Sequence, residues 1–221
     1  MTLSLSNHND SANVNPMWLF LWVVFVLVAV GFFLWSYHAI YEQKRGWKKF
    51  ADKYGMQFFG GATMQSPSMS GLIGDYQFNF YPQISENAQG QKATKNVIEA
   101  FLNDIPDTLC VVASQGFADF VTVLDLPEPF QIENENWPKN ILARTFEDQA
   151  PEIWFNASPS RIPTIKKMTK MPFDNAFVAD GNQAFIAIRT NNSLKKSEQL
   201  EKITKAMALL CKALEDEKTQ S

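Results

Sequence analysis

The sequence predicts an α+β protein, with one N-terminal transmembrane helix followed by a soluble domain of antiparallel hairpins and a long C-terminal helix packed on the sheet. Three observations carry this expectation. Residues Met17 to Tyr37 contain no Asp, Glu, Lys or Arg. Short segments of alternating apolar and polar residues flank glycine-containing turns through the middle of the chain. Near the end, Leu200, Ile203, Met207, Leu210 and Leu214 recur at helical spacing.

The chain has 221 residues, 46% hydrophobic and 19% charged. That ordinary average hides the uncharged block MWLFLWVVFVLVAVGFFLWSY. A helix of that length covers about 30 Å, the thickness of a bilayer's hydrocarbon core. A core helix of a large protein would also lack a polar face, but the roughly 170 residues that follow the basic flank cannot wrap one on every side. A cleaved signal peptide would want a basic start, a shorter apolar stretch and small residues before the cut. The first sixteen residues carry no Lys or Arg, and the run ends in the bulky Leu34-Trp35-Ser36-Tyr37. The segment therefore reads as an uncleaved anchor. Aromatic rings favour the headgroup region, and Trp18, Trp22, Trp35, Tyr37, Tyr41 and Trp47 lie at or near its ends. The anchor set comprises Trp18, Trp22, Gly31, Trp35 and Tyr37.

Charge sets the orientation. Asp10 is the only charged side chain before the run, whereas Lys44, Arg45, Lys48, Lys49 and Lys53 follow it against Glu42 and Asp52. Positive flanks stay in the cytoplasm. The expected layout is a polar extracytoplasmic tail (1–16), a transmembrane helix (17–40), a basic amphipathic juxtamembrane helix (41–55) and a cytoplasmic α+β domain (56–221). In that orientation the triplets Asn156-Ala157-Ser158 and Asn191-Asn192-Ser193 never meet glycosylation machinery. Cys110 and Cys211 sit in apolar settings typical of small buried thiols in a reducing compartment.

Trp47, Phe50, Ala51 and Tyr54 share one helical face, with Lys48, Lys49, Asp52 and Lys53 on the other and Gly55 as a C-terminal cap. Two roles compete for this segment. It is either a basic stretch on an anionic leaflet or the first helix of the domain, with a mixture favoured and a bend expected near Gly46.

Met56–Gly60 reads as a short strand. Met69–Pro82 reads as a hairpin, with turns at Ser70-Gly71 and at Gly74-Asp75. Ile84–Thr94 is polar and reads as a mobile loop. Asn96–Ile105 permits a strand or a short helix. Leu109–Ser114 and Ile141–Phe146 read as strands, and Gly116–Asp125 as either. Pro151–Ala157 opens a helix with proline first, and Pro159–Lys170 offers another. Ala176–Ala179 and Ala184–Arg189 flank an Asp180-Gly181 turn, a hairpin signature. Leu194–Glu217 closes the chain as a helix. Its two heptads fall short of a coiled-coil seam, so packing on the domain's own sheet is expected.

Motifs for chemistry are missing from the sequence. It holds no P-loop, dinucleotide fingerprint, zincin, nucleophile-elbow or C-x-x-C pattern. The only histidines are His8 and His38, so the soluble domain contains no histidine for a catalytic site. Carboxylates pair at Asp104/Asp107, Glu133/Glu135 and Glu147/Asp148, all in loop-like stretches suited to solvated acids. Gly71-Leu72-Ile73-Gly74 has the G-x-x-G form of KH domains, but without basic neighbours it reads as a tight hairpin. Beyond the basic flank, 15 basic residues face 20 acidic ones, the wrong sign for a nucleic-acid partner. No cofactor or metal is expected. The expected partners are the lipid bilayer and another membrane or cytoplasmic protein, and homo-oligomerisation is left open.

Taken in order, Trp47–Gly55, Ser70–Tyr76, Phe177–Ile188 and Leu194–Leu214 resemble a group of bacterial single-pass proteins of uncharacterised function. Those combine an N-terminal anchor, a basic aromatic segment, a glycine-rich hairpin, and a closing hairpin followed by a long helix. The resemblance implies a bacterial inner-membrane protein and carries over no catalytic residues. The functional expectation is a tethered, non-enzymatic interaction or scaffolding domain. The alternatives are an enzyme working without histidine, or a sensor of small ligands or lipid headgroups with Trp137 or Trp154 in its pocket.

Overall fold

A computed structural model of the chain describes residues 16–86, 92–124, 126–146, 151–192 and 194–215. The chain divides after Ala39 into two compact units. Helix α1, Pro16–Tyr54, contributes its first part to one unit and its last turns to the other. In the first unit α1 is long and apolar enough to cross a membrane, and its apolar window is 0% buried by protein.

The second unit is an α+β fold on one antiparallel sheet of nine strands among the described residues. The strands are β1 (Gln57–Phe59), β2 (Ser68–Ile73), β3 (Tyr76–Glu86), β4 (Lys92–Phe101), β5 (Leu109–Ala113), β6 (Glu128–Pro129), β7 (Leu142–Thr145), β8 (Asp174–Asp180) and β9 (Ala184–Thr190). Their order is β1-β2-β3-β4-β9-β8-β5-β7-β6. The helices are α2 (Ala118–Val123), α3 (Pro151–Ala157), α4 (Arg161–Thr169) and α5 (Ser197–Glu215). A 3-10 turn at Gln115–Phe117 precedes α2.

Strand alternation sorts side chains onto two faces. On one face Phe78, Phe80, Ile98, Ala100, Phe177, Ile186 and Ile188 join Trp47 and Phe50 of α1 and Leu200, Met207 and Leu214 of α5 in the main core. On the other, Val111, Ala113, Ala176, Val178 and Ala187 pack with Phe117 and Val121 in a smaller core. Strand β9 is buried along its whole length because both layers cover it. Its run Ala-Phe-Ile-Ala-Ile is the near-continuous apolar stretch such a strand needs.

Several sequence expectations hold here. Gly74 takes a positive φ of 63° between Ile73 and Tyr76, which pair across the turn. Gly181 does the same with φ 80°, and the Asp180 carboxylate accepts from the amides of Asn182 and Gln183 to close that hairpin. Of Asn96–Ile105, Asn96–Phe101 is strand, the end of β4, and the rest is not; of Gly116–Asp125, 116–123 is helical, a 3-10 turn running into α2. Pro151 does start α3. Leu200, Ile203, Met207, Leu210 and Leu214 are all buried in the chain's own core.

Two expectations are corrected. Ile84–Thr94 is not a loop at its ends: Ile84, Ser85 and Glu86 pair with Thr94, Ala93 and Lys92, extending the β3–β4 ladder, while residues 87–91 lie outside the described residues. Polar residues do not stop strand pairing that is already in register. Ser85 donates to Asp119 and Lys95 to Asp174, tying this end down. Ser70-Gly71 is no turn either, since both residues sit inside β2. Gly71 is required because a β-carbon there would press on Met56.

Candidate functional site

The anchor residues and the basic residues fall into different units. Trp18, Trp22, Gly31, Trp35 and Tyr37 all lie in α1 and are exposed. No atom lies near a β-carbon built on Gly31.

In the second unit, the last turns of α1 are built into the domain. Trp47, Phe50 and Ala51 are fully buried. Trp47 meets Phe80 edge-on at 5.9 Å, and Phe50 meets the same ring at 5.8 Å. The core role therefore accounts for the apolar face. The helix runs unbroken through Gly46. Glycine is needed there for a different reason: a β-carbon would collide with the carbonyl of Lys195, so its absence lets α1 press against the loop before α5. Trp47 Nε1 donates to the Leu194 carbonyl at 3.1 Å. Leu194 is the one described non-glycine residue with a positive φ, 46°. Its buried side chain and this hydrogen bond hold it there.

The five basic residues have different surroundings. Lys44 Nζ donates to the Ala62 carbonyl at 2.5 Å, and Lys53 pairs with Glu201 of α5 at 2.8 Å. That pairing raises the Lys53 ammonium and lowers the Glu201 carboxyl from their ordinary values. Lys48 is exposed. Arg45 and Lys49 line a pocket of about 520 Å³ together with Glu42, Gly46, Lys195, Lys196, Ser197 and Glu198. Glu42 lies 3.5 Å from Lys195 Nζ. Sequence reasoning missed Lys195 and Lys196. The available signal was a Lys-Lys pair at the start of the predicted final helix, where a cation opposes the helix dipole.

Elsewhere the polar groups brace the fold. Arg161, fully buried, lies over the Trp154 ring at 4.0 Å and donates to the carbonyls of Leu214 and Trp154, with Asp104 at 3.6 Å. It satisfies the end of α5, as does Ser160 Oγ donating to Ala213. Arg189, also buried, grips Asp119 through both terminal nitrogens, donates to the Gly116 carbonyl and stacks over Phe117. Those bonds hold the Asp119 carboxyl down to about 2. Trp154 stacks on Phe177 at 5.2 Å as part of the core layer. Trp137 is buried but borders a pocket of about 400 Å³ with Phe130 and Arg144.

The second face of β1–β4 is open enough to leave Phe59 57% and Leu72 63% exposed. There Tyr81 donates to Glu99 at 2.6 Å. Burial raises the Glu99 carboxyl, opposed by hydrogen bonds from Tyr81 and Asn79. Of the carboxylate pairs offered by the sequence, Asp104 reaches Arg161, Glu133 and Glu135 are exposed, and Glu147 and Asp148 lie outside the described residues. Cys110 and Cys211 are free and buried, and burial pushes both thiols up to about 12. Among the described residues, no three His, Cys, Asp or Glu side chains gather as a metal site.

Comparison with protein families, curated proteins and solved structures finds no match to this chain.

Proposed function

We propose that this protein is a membrane-tethered interaction domain, held on the cytoplasmic face and acting through contact rather than catalysis. One observation carries the reading. Helix α1 carries an uncharged run of 21 residues whose apolar window is 0% buried, while its last turns join the domain's core. Exposed apolar surface on that scale is unfavourable in water and favourable in lipid. The cation excess after Tyr37 supports the cytoplasmic placement. Each cation near an anionic leaflet adds about 1 kcal/mol to the attachment. A tether confines the domain to a thin layer, so weak contacts with a membrane or cytoplasmic protein suffice at the raised effective concentration.

The test is in-membrane cross-linking of the full-length chain, followed by purification in mild detergent. A reproducible partner protein, lost when the domain surface is altered, supports the reading. A chain recovered only as uncross-linked monomer contradicts it. A second reading, a sensor of lipid headgroups, is favoured by the basic pocket beside α5.

A further inference from the structure

We propose that the pocket between the end of α1 and the start of α5 binds a phosphate-bearing anion, with anionic phospholipid headgroups as its source at a membrane. The membrane source rests on the tethered reading above; the phosphate chemistry does not.

The pocket gathers Arg45 and Lys49 from one segment and Lys195 and Lys196 from another, distant in sequence. The acids in its wall are Glu42 and Glu198, so cations exceed acids by two. Glu42 is already engaged with Lys195. No ion pair occupies Arg45, Lys49 or Lys196 among the described residues.

The start of α5 adds to this. Lys196 immediately precedes the helix, and its amide is taken by the Gln199 side chain at 3.3 Å, one half of a capping box. The other half is missing, because lysine has no side-chain oxygen to accept from the first-turn amides. Two lysines thus stand at the positive end of the α5 dipole, where their charge is unfavourable and an anion is favourable. A phosphate in the pocket offsets the cation excess at that helix end.

The site is also held in shape. Gly46 lets α1 reach the backbone of Lys195, and Trp47 fixes Leu194 in its left-handed conformation. The two lysines are therefore presented beside Arg45 and Lys49 by packing rather than by chance. Arg45 and Lys49 follow Tyr37 by eight and twelve positions. Cations so near a span in sequence are of the juxtamembrane kind that an anionic leaflet attracts.

The experiment is amide hydrogen exchange over residues 194–200 of the full-length chain, wild type and K195Q/K196Q. Three settings are compared: phosphatidylcholine nanodiscs, the same discs doped with phosphatidylglycerol, and phosphatidylcholine discs with added inorganic phosphate. The expected result is slower exchange of this segment in the doped discs, lost in K195Q/K196Q while the exchange of β9 is unchanged. Loss of two cations corresponds to roughly thirtyfold weaker binding. Protection by inorganic phosphate as well supports the phosphate site and identifies free phosphate as a further source. Equal exchange of the wild type in all three settings overturns the proposal. If the chain fails to enter discs, the tethered reading fails, and the phosphate arm repeated in detergent still decides the pocket: protection there supports it and none overturns it.

Discussion

Trp47 and Leu194, 147 positions apart, are joined by a hydrogen bond from the indole Nε1 to the main-chain carbonyl. This bond links the end of α1 to the loop that begins α5, and the neighbouring Gly46 allows the approach. Trp47→Phe keeps most of the ring packing and leaves the Leu194 carbonyl without its partner, so the domain should lose about 1–3 kcal/mol. Gly46→Ala must displace backbone and should cost at least as much, although alanine is the better helix former. Denaturant unfolding of the full chain in detergent checks both. A Gly46→Ala variant as stable as wild type would show that the contact is not close.

Arg161 should be the most sensitive charged position. Arg161→Met removes the fork that closes the α5 end and leaves two carbonyls unanswered, with an expected loss of about 3–5 kcal/mol. Arg161→Lys should recover little, because one ammonium cannot serve Leu214, Trp154 and the indole face together. The same unfolding measurement separates the two variants.

The Asp119–Arg189 pair predicts an acid limb. The Asp119 carboxyl is lowered in the fold, chiefly by hydrogen bonds from Arg189, from an ordinary 3.8 to about 2. A lowered carboxyl stabilises above its unfolded pKa, and the contribution disappears as pH falls through the folded one. Stability should therefore drop between about pH 4 and pH 2. Asp119→Asn should be less stable at neutral pH and show a flatter acid limb in thermal melts across that range. Glu99, raised by burial, works in the opposite sense: its contribution favours the fold at low pH and fades as pH rises through the folded value.

Cys110 and Cys211 should be inert in the folded chain. Both are buried, with thiols pushed up to about 12, so little thiolate exists at neutral pH. Labelling with a maleimide should be slow in native conditions and rise with the unfolding transition. Rapid labelling without denaturant would mean that β5 or the end of α5 opens locally.

The readable parts of this fold were those whose signal is local. The Gly74-Asp75 and Asp180-Gly181 turns, the apolar stripe of α5 and Pro151 at a helix start each follow from a few adjacent residues. The Ile84–Thr94 segment was misread because its composition is polar and its pairing is inherited from the ladder next to it. Gly71 looked like a turn residue; its actual constraint is Met56, a neighbour across the β1–β2 connection. The basic flank was legible as charge, but its side-chain partners were not. Lys44 and Lys53 are diverted to Ala62 and Glu201, and the partners of Arg45 and Lys49 in the pocket, Lys195 and Lys196, come from the far end of the chain. Such juxtapositions are set by tertiary packing, which no local spacing encodes.

The proposed function depends first on the Met17–Tyr37 run being placed in lipid. Membranes from cells making the full-length chain, washed at alkaline pH without detergent and sedimented, provide the direct measurement. The chain should remain in the pellet and be released only by detergent. Recovery of folded chain in the alkaline supernatant would contradict the account.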